Sequence, residues 1–268
     1  MTMTRIDHAF AGLRKAKQKG FIAYITAGDP NLDATVDIVL RLEQEGVDVI
    51  ELGLPFSDPL ADGKVNQESA ARALEAGTTP FGVLDCVAKI RKRSQIPLMC
   101  YTYMNPLVAL GFERFAKRAA EAGLDGLLLL DLPVEEATNE PGILAGHGLN
   151  FICLVTPTTP EERIKKIAAT ASGFIYCVSR EGVTGVQEKL GKGALDLVKR
   201  TRKHTKLPLA LGFGISTPDH ARAAAKPSDA VVVGSAIVSR FHQEPKTAKG
   251  RQQAAAWVGG LVRAVKET

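Results

Sequence analysis

The chain has 268 residues, 45% of them apolar and 24% charged, with a formal net charge of +5. A single α/β barrel reaches this length as readily as two small domains do, and the composition excludes disorder and supplies apolar surface for a large core. No basic-then-apolar stretch opens the chain and no apolar run approaches a membrane span, so a cytoplasmic protein is expected.

Residues 5–19 predict a helix ahead of the first strand. Eight short apolar runs then follow in order: FIAYIT (21–26), VDVIELG (47–53), IPLMCYT (96–102), DGLLLLD (125–131), NFICLVT (150–156), GFIYCVS (173–179), LPLALGFG (207–214) and DAVVVGS (229–235). They are continuous rather than alternating, as strands of a parallel sheet covered on both faces are. Amphipathic segments at 32–45, 80–93, 111–122, 134–147, 160–171, 192–204 and 217–225 lie between them. Several close on glycine, which supplies the left-handed turn that ends a helix. Eight βα units without a linker predict one (β/α)₈ barrel domain over 1–268, with an extra N-terminal helix. A doubly wound sheet fits less well, because TAGDP after the first strand lacks the glycine-rich dinucleotide fingerprint.

The basic clusters RKAK (14–17), KIRKR (89–93) and KRTRKHTK (199–206) each end a predicted helix and carry no interleaved aromatics. They read as solvated faces that offset helix dipoles rather than as a nucleic-acid surface. Cys86, Cys100, Cys153 and Cys177 are widely spaced, three of them within apolar runs, and read as buried reduced thiols.

In such a barrel the chemistry sits at the carboxyl ends of the strands. That set holds Thr26, Gly28 and Asp29 after the first strand, Glu51 to Asp62 after the second, Tyr103 and Asn105 after the third, and Asp131 after the fourth. Glu51 lies among Val49, Ile50 and Leu52, so desolvation is expected to raise its pKa and suit it to proton transfer; a structural ion pair is the alternative. Asp62 and Asp58 are acids of the following loop, where each also suits a turn. Gly182 with Gly185, Gly212 with Gly214, and Gly234 with Ser235 open three consecutive loops. Ser235 starts a short helix, and together these features predict a phosphate site. Phe21, Tyr176 and Phe213 are candidates for an aromatic-substrate pocket, with core packing as the alternative.

The five histidines fall in helices or at helix ends, without metal-ligand spacing near a strand end. No lysine lies at a strand end, so a Schiff base would have to use Lys64, which reads more simply as a solvated residue. Acid–base chemistry on a phosphorylated substrate, with no cofactor and no metal, remains.

ELGLPFSDPLADG, PTTPEERI, GFIYCVSREGVTG, LGFGIS and VVVGSAIV, in this order over nearly the whole chain, resemble the tryptophan synthase α-subunit family. The resemblance implies a barrel lyase that cleaves indole-3-glycerol phosphate to indole and glyceraldehyde 3-phosphate by a retro-aldol step. Indole then passes to a β subunit, which carries pyridoxal phosphate, within an αββα complex. It implies Glu51 as the acid–base at indole C3 and Asp62 as the acceptor of the indole N–H. It also implies Phe21 and Tyr176 in the indole pocket, Thr184 closing the site over Asp62, and Gly185, Gly214, Gly234 and Ser235 on the phosphate. The chain departs from the family pattern at ADGKVNQ, where Lys64 replaces proline and Asn66 an apolar residue. A looser Asp62 loop is expected from the first change; from the second, weaker affinity or an altered partner contact. A free-standing indole-releasing lyase and a non-catalytic activator of the β subunit are the competing readings.

Overall fold

Each of the eight apolar runs forms a strand in the computed structural model, which describes residues 3–179, 192–212, 214–244 and 246–268. The strands β1 (Gly20–Thr26), β2 (Val49–Gly53), β3 (Leu98–Thr102), β4 (Gly126–Leu129), β5 (Asn150–Val155), β6 (Ile175–Val178), β7 (Leu209–Gly212) and β8 (Ala230–Val233) pair in parallel and in sequence order, and β8 closes on β1. Twelve helices surround them among the described residues. They are α1 (Arg5–Ala16), α2 (Leu32–Gln44), α3 (Lys64–Glu75), α4 (Pro80–Arg91), α5 (Met104–Leu110), α6 (Phe112–Ala122), α7 (Glu140–Gly146), α8 (Glu161–Thr170), α9 (Lys192–Arg202), α10 (Pro218–Ala225), α11 (Ser235–Gln243) and α12 (Ala248–Lys266). No helix of the described residues is long and apolar enough to cross a membrane.

The continuous apolarity of the strands has the expected cause: both faces are buried, against different neighbours. Phe21, Ala23 and Ile25 of β1 pack in the layer between sheet and helices, together with Ile50 and Leu52 of β2. Ile22, Val49, Met99, Leu128, Ile152, Phe174, Ala210 and Val232 fill the barrel interior. Ile6, Phe10 and Leu13 of α1 belong to that interior cluster, so α1 lies against the amino-terminal end of the barrel. Thr4 caps α1 reciprocally with Asp7, and its hydroxyl is hydrogen-bonded to the Asn150 side chain of β5.

Three differences from the sequence-based expectations have identifiable causes, the first two local. The helix expected over 134–147 begins only at Glu140, because Pro141 is tolerated in a first turn and not in a helix interior. The helix expected over 5–19 ends at Ala16, where Lys17 takes a left-handed conformation at φ 55°. The cluster KIRKR is not a wholly solvated face: Arg91 is folded inward, 2.7 Å from Asp125, with side-chain exposures of 10% and 2%. Asp125 also accepts from the Leu98 backbone N–H (2.8 Å) and from Arg5 Nη1 (3.0 Å), joining α1, α4, β3 and β4.

Candidate active site

Alternation along β2 turns Val49 into the barrel interior and Ile50 and Leu52 outward, which puts Glu51 on the inner face near the carboxyl end of its strand. It is 1% exposed, and its Oε1 has no hydrogen-bond partner among the described residues. Burial, with a further contribution from the negative charge of Asp62, pushes its carboxyl up to about 8. Glu51 is therefore a protonated acid at neutral pH. The structural ion pair considered for it is not formed with any of the described residues.

Asp62 ends the loop that leaves β2. The Asp62 N–H donates to the Pro59 carbonyl (3.0 Å), and Gln67 Nε2 donates to the Asp62 carbonyl (2.9 Å). Its side chain faces the barrel mouth. The Tyr103 hydroxyl donates to Oδ2 at 2.8 Å, the Tyr101 hydroxyl to Oδ1 at 3.1 Å, and Asn66 Nδ2 approaches Oδ1 at 3.5 Å. The backbone N–H of Ala61 donates to the Tyr103 oxygen (2.9 Å), fixing that ring over the loop. Burial raises the Asp62 pKa and the three donors oppose the rise, favouring the anion. Two acids thus share one mouth in unlike settings, Glu51 dry and Asp62 ringed by donors, the arrangement that separates an acid from an anion.

Tyrosine surrounds both. The chain has four tyrosines, and Tyr24, Tyr101, Tyr103 and Tyr176 all converge here. Tyr24 pairs in register with Glu51 and meets Tyr101 edge to face, with centroids 5.1 Å apart. Burial raises the pKa of all four hydroxyls, so they act as neutral donors. Gly53 makes room for this packing: a Cβ there would lie 2.3 Å from the Tyr24 oxygen. Gly53→Ala is expected to displace the Tyr24 ring and lower kcat/KM by about ten- to hundredfold, read by steady-state kinetics beside a fall in Tm.

The expectation for Phe21 is corrected. Phe21 is the second residue of β1, toward the opposite end of the strand from the mouth, and its side chain is buried in the sheet–helix layer with Ala23 and Ile25. Tyr24, three residues on and of opposite parity, holds the position expected of Phe21. Tyr24 and Tyr101 escaped the sequence reading, although Tyr101 shares the parity of Tyr103 two residues on.

Other residues of the expected working face have structural roles. Asp29 pairs with Arg72 (2.6 Å) and accepts from Ser69 (2.6 Å), tethering α3. Asp131 Oδ1 accepts the Met104 N–H (2.7 Å) at the start of α5, where Asn105 is exposed. Lys64 is the first residue of α3, exposed and 3.8 Å from Glu68, as a solvated residue should be. Gly63 caps that helix, so the missing proline falls at a first helical position rather than inside the loop. Asn66 does not replace packing; its amide reaches Asp62 and leaves its Oδ1 buried without a partner among the described residues.

Gly234 caps α11, whose first turn contains Ser235 and no acidic residue, and Gly214 has φ 66° after β7. Gly234 and Ser235 thus stand at a helix N-terminus, which favours negative charge. Gly182, Thr184, Gly185 and Phe213 lie outside the described residues. Among the described residues no group of three His, Cys, Asp or Glu could hold a metal ion.

A sequence model of the family described as tryptophan synthase alpha chain matches residues 10–266. The chain belongs to that family. The tryptophan synthase alpha chain of Geotalea daltonii is 48% identical over 241 residues, 90% of this chain and 91% of the relative. That of Citrifermentans bemidjiense is 45% identical, with 99% and 97% of the two chains covered. Tryptophan synthase subunit alpha from Legionella pneumophila superposes with a TM-score of 0.92 at 36% identity and full coverage of both chains.

Proposed function

We propose that the chain, as a single barrel domain, cleaves indole-3-glycerol phosphate to indole and glyceraldehyde 3-phosphate. This is the lyase reaction of the tryptophan synthase alpha family. The observation that carries the reading is the buried Glu51 carboxyl, its pKa pushed up by desolvation, beside an Asp62 held by three donors. Protonated Glu51 gives its proton to C3 of the indole ring, and the ring becomes an iminium-like cation stabilised by Asp62 through the ring N–H. The Glu51 carboxylate then takes the proton of the glycerol hydroxyl next to the ring. The C3–glycerol bond breaks, its electrons restore the aromatic ring, and the hydroxyl carbon becomes the aldehyde. The substrate ring is the electron sink, so the chain's own residues need neither metal nor cofactor for this step. Each proton transfer contributes about 10²–10⁴ in rate.

Tyr24, Tyr103 and Tyr176 line the ring pocket in this reading, and Gly214, Gly234 and Ser235 hold the phosphate. Thr184, Gly185 and Phe213 complete the site by family likeness alone. A β subunit carrying pyridoxal phosphate receives the indole. Support for a partner comes from two exposed apolar side chains, Leu60 of the loop after β2 and Val108 of α5, which are 82% and 60% exposed. A tryptophan synthase from Mycobacterium tuberculosis in its aminoacrylate-bound form contains a chain that superposes on this one with a TM-score of 0.87 at 28% identity. A cytoplasmic setting accords with four buried free thiols.

Indole and glyceraldehyde 3-phosphate release by the purified chain, with and without a β subunit, tests the reading. Slow stoichiometric release that rises strongly with the partner is expected. Equally fast release alone would favour a free-standing lyase, and no release under either condition would sink the enzymatic reading.

A further inference from the structure

We propose that Tyr101 and Asn66 are positioning residues for the lyase reaction, fixing the Asp62 carboxylate through Oδ1 and leaving, among the contacts of the described residues, one lone-pair position open toward the substrate N–H. The proposal rests on the reading of Asp62 as the acceptor of that N–H. A carboxylate offers about four lone-pair positions. Tyr103 occupies one on Oδ2, and Tyr101 and Asn66 occupy two on Oδ1.

Geometry gives these two residues little purpose besides this. The Tyr101 ring is braced by Tyr24 at 5.1 Å, and its hydroxyl has Asp62 as its partner. Asn66 stands in the first turn of α3, four residues after Asp62 in the chain, with a backbone N–H already satisfied by the Gly63 carbonyl (3.0 Å). Its amide leaves Oδ1 buried and without a partner among the described residues while Nδ2 points to the carboxylate. An apolar side chain of the same size would avoid that unpaired acceptor, so the asparagine is unfavourable for folding and useful only through the group it faces. Among the described residues the titratable groups around Asp62 are Glu51 from β2, Tyr24 from β1, Tyr101 and Tyr103 from β3 and the residue after it, and Tyr176 from β6. The nearby charges of α3, Lys64 and Glu68, are exposed and pair with each other.

The test compares Tyr101→Phe, Asn66→Leu and Asp62→Asn, singly and as Tyr101→Phe/Asp62→Asn, in the β-subunit complex. Tyr101→Phe is expected to lower kcat about tenfold with KM changed less than twofold. It should also move the acid limb of the pH profile upward, because an Asp62 with fewer donors holds its proton to higher pH. The double variant should be no slower than Asp62→Asn alone, since Tyr101 acts through Asp62. Asn66→Leu should lower kcat several-fold while raising Tm, an opposition that a merely structural residue would not produce. Wild-type kcat and pH profile in Tyr101→Phe and Asn66→Leu, with Asp62→Asn inactive, would overturn the proposal and leave the function intact. Full activity in Asp62→Asn would overturn both.

Discussion

Glu51→Gln is expected to lower kcat for indole release by about 10²–10⁴-fold, with substrate affinity nearly unchanged. The amide fills the same space and has no proton to give to C3 or site to take one from the glycerol hydroxyl. Single-turnover kinetics in the β-subunit complex would read the loss directly. A variant within threefold of wild type would remove Glu51 from the mechanism. Stability should move the other way. The folded carboxyl holds its proton up to about pH 8, whereas an ordinary one releases it near 4.5. Between those values the folded state binds more protons than the unfolded state, so wild-type stability falls as pH rises through this window. The glutamine variant lacks that dependence. Its Tm should match wild type near pH 4.5 and exceed it increasingly up to about pH 8. The wild-type rate should decline on the alkaline side above about pH 8, as the acid is lost, and on the acid side as Asp62 takes up a proton.

The second large effect lies at the other end of the barrel. Asp125→Ala is expected to cost about 3–5 kcal/mol of stability, because removing the carboxylate leaves the buried Arg91 guanidinium without its counter-charge. Arg91 stays anchored by the carbonyls of Gly123 (2.7 Å) and Ile96 (2.5 Å), so it cannot simply swing to solvent. Urea unfolding at pH 7 would show a lower midpoint with an unchanged slope. Asp33→Ala is the matched control: its pair with Lys89 is exposed on both sides, at 86% and 57%, and its loss should leave the midpoint in place. An equal shift in both variants would mean that the Asp125 cluster has no special weight.

The barrel was readable because continuous apolar runs and glycine-closed helices recur with one period, and no local choice contradicts closure. Glu51 was readable for a related reason: an acid inside an apolar strand near its carboxyl end has few stable surroundings other than a desolvated mouth. Phe21 shows where that reasoning stops. A strand buried on both faces carries no polar alternation, so the sequence does not mark which parity faces inward. Placing Phe21 or Tyr24 at the mouth needs the register of β1 against β2, and that is a pairing between distant segments. Asn66 was visible as a departure, yet its partner four residues earlier depends on where α3 begins. Arg91 looked like a solvated cation because Asp125, its counter-charge, is supplied by a different βα unit.

The seat of Ile6, Phe10 and Leu13 beneath the strands makes this barrel a cup and not a pipe. Among the described residues the amino-terminal end is stoppered, so the way to Glu51 lies from the carboxyl-terminal side. A surface laid over that rim would therefore be the first thing met by a molecule rising from Glu51.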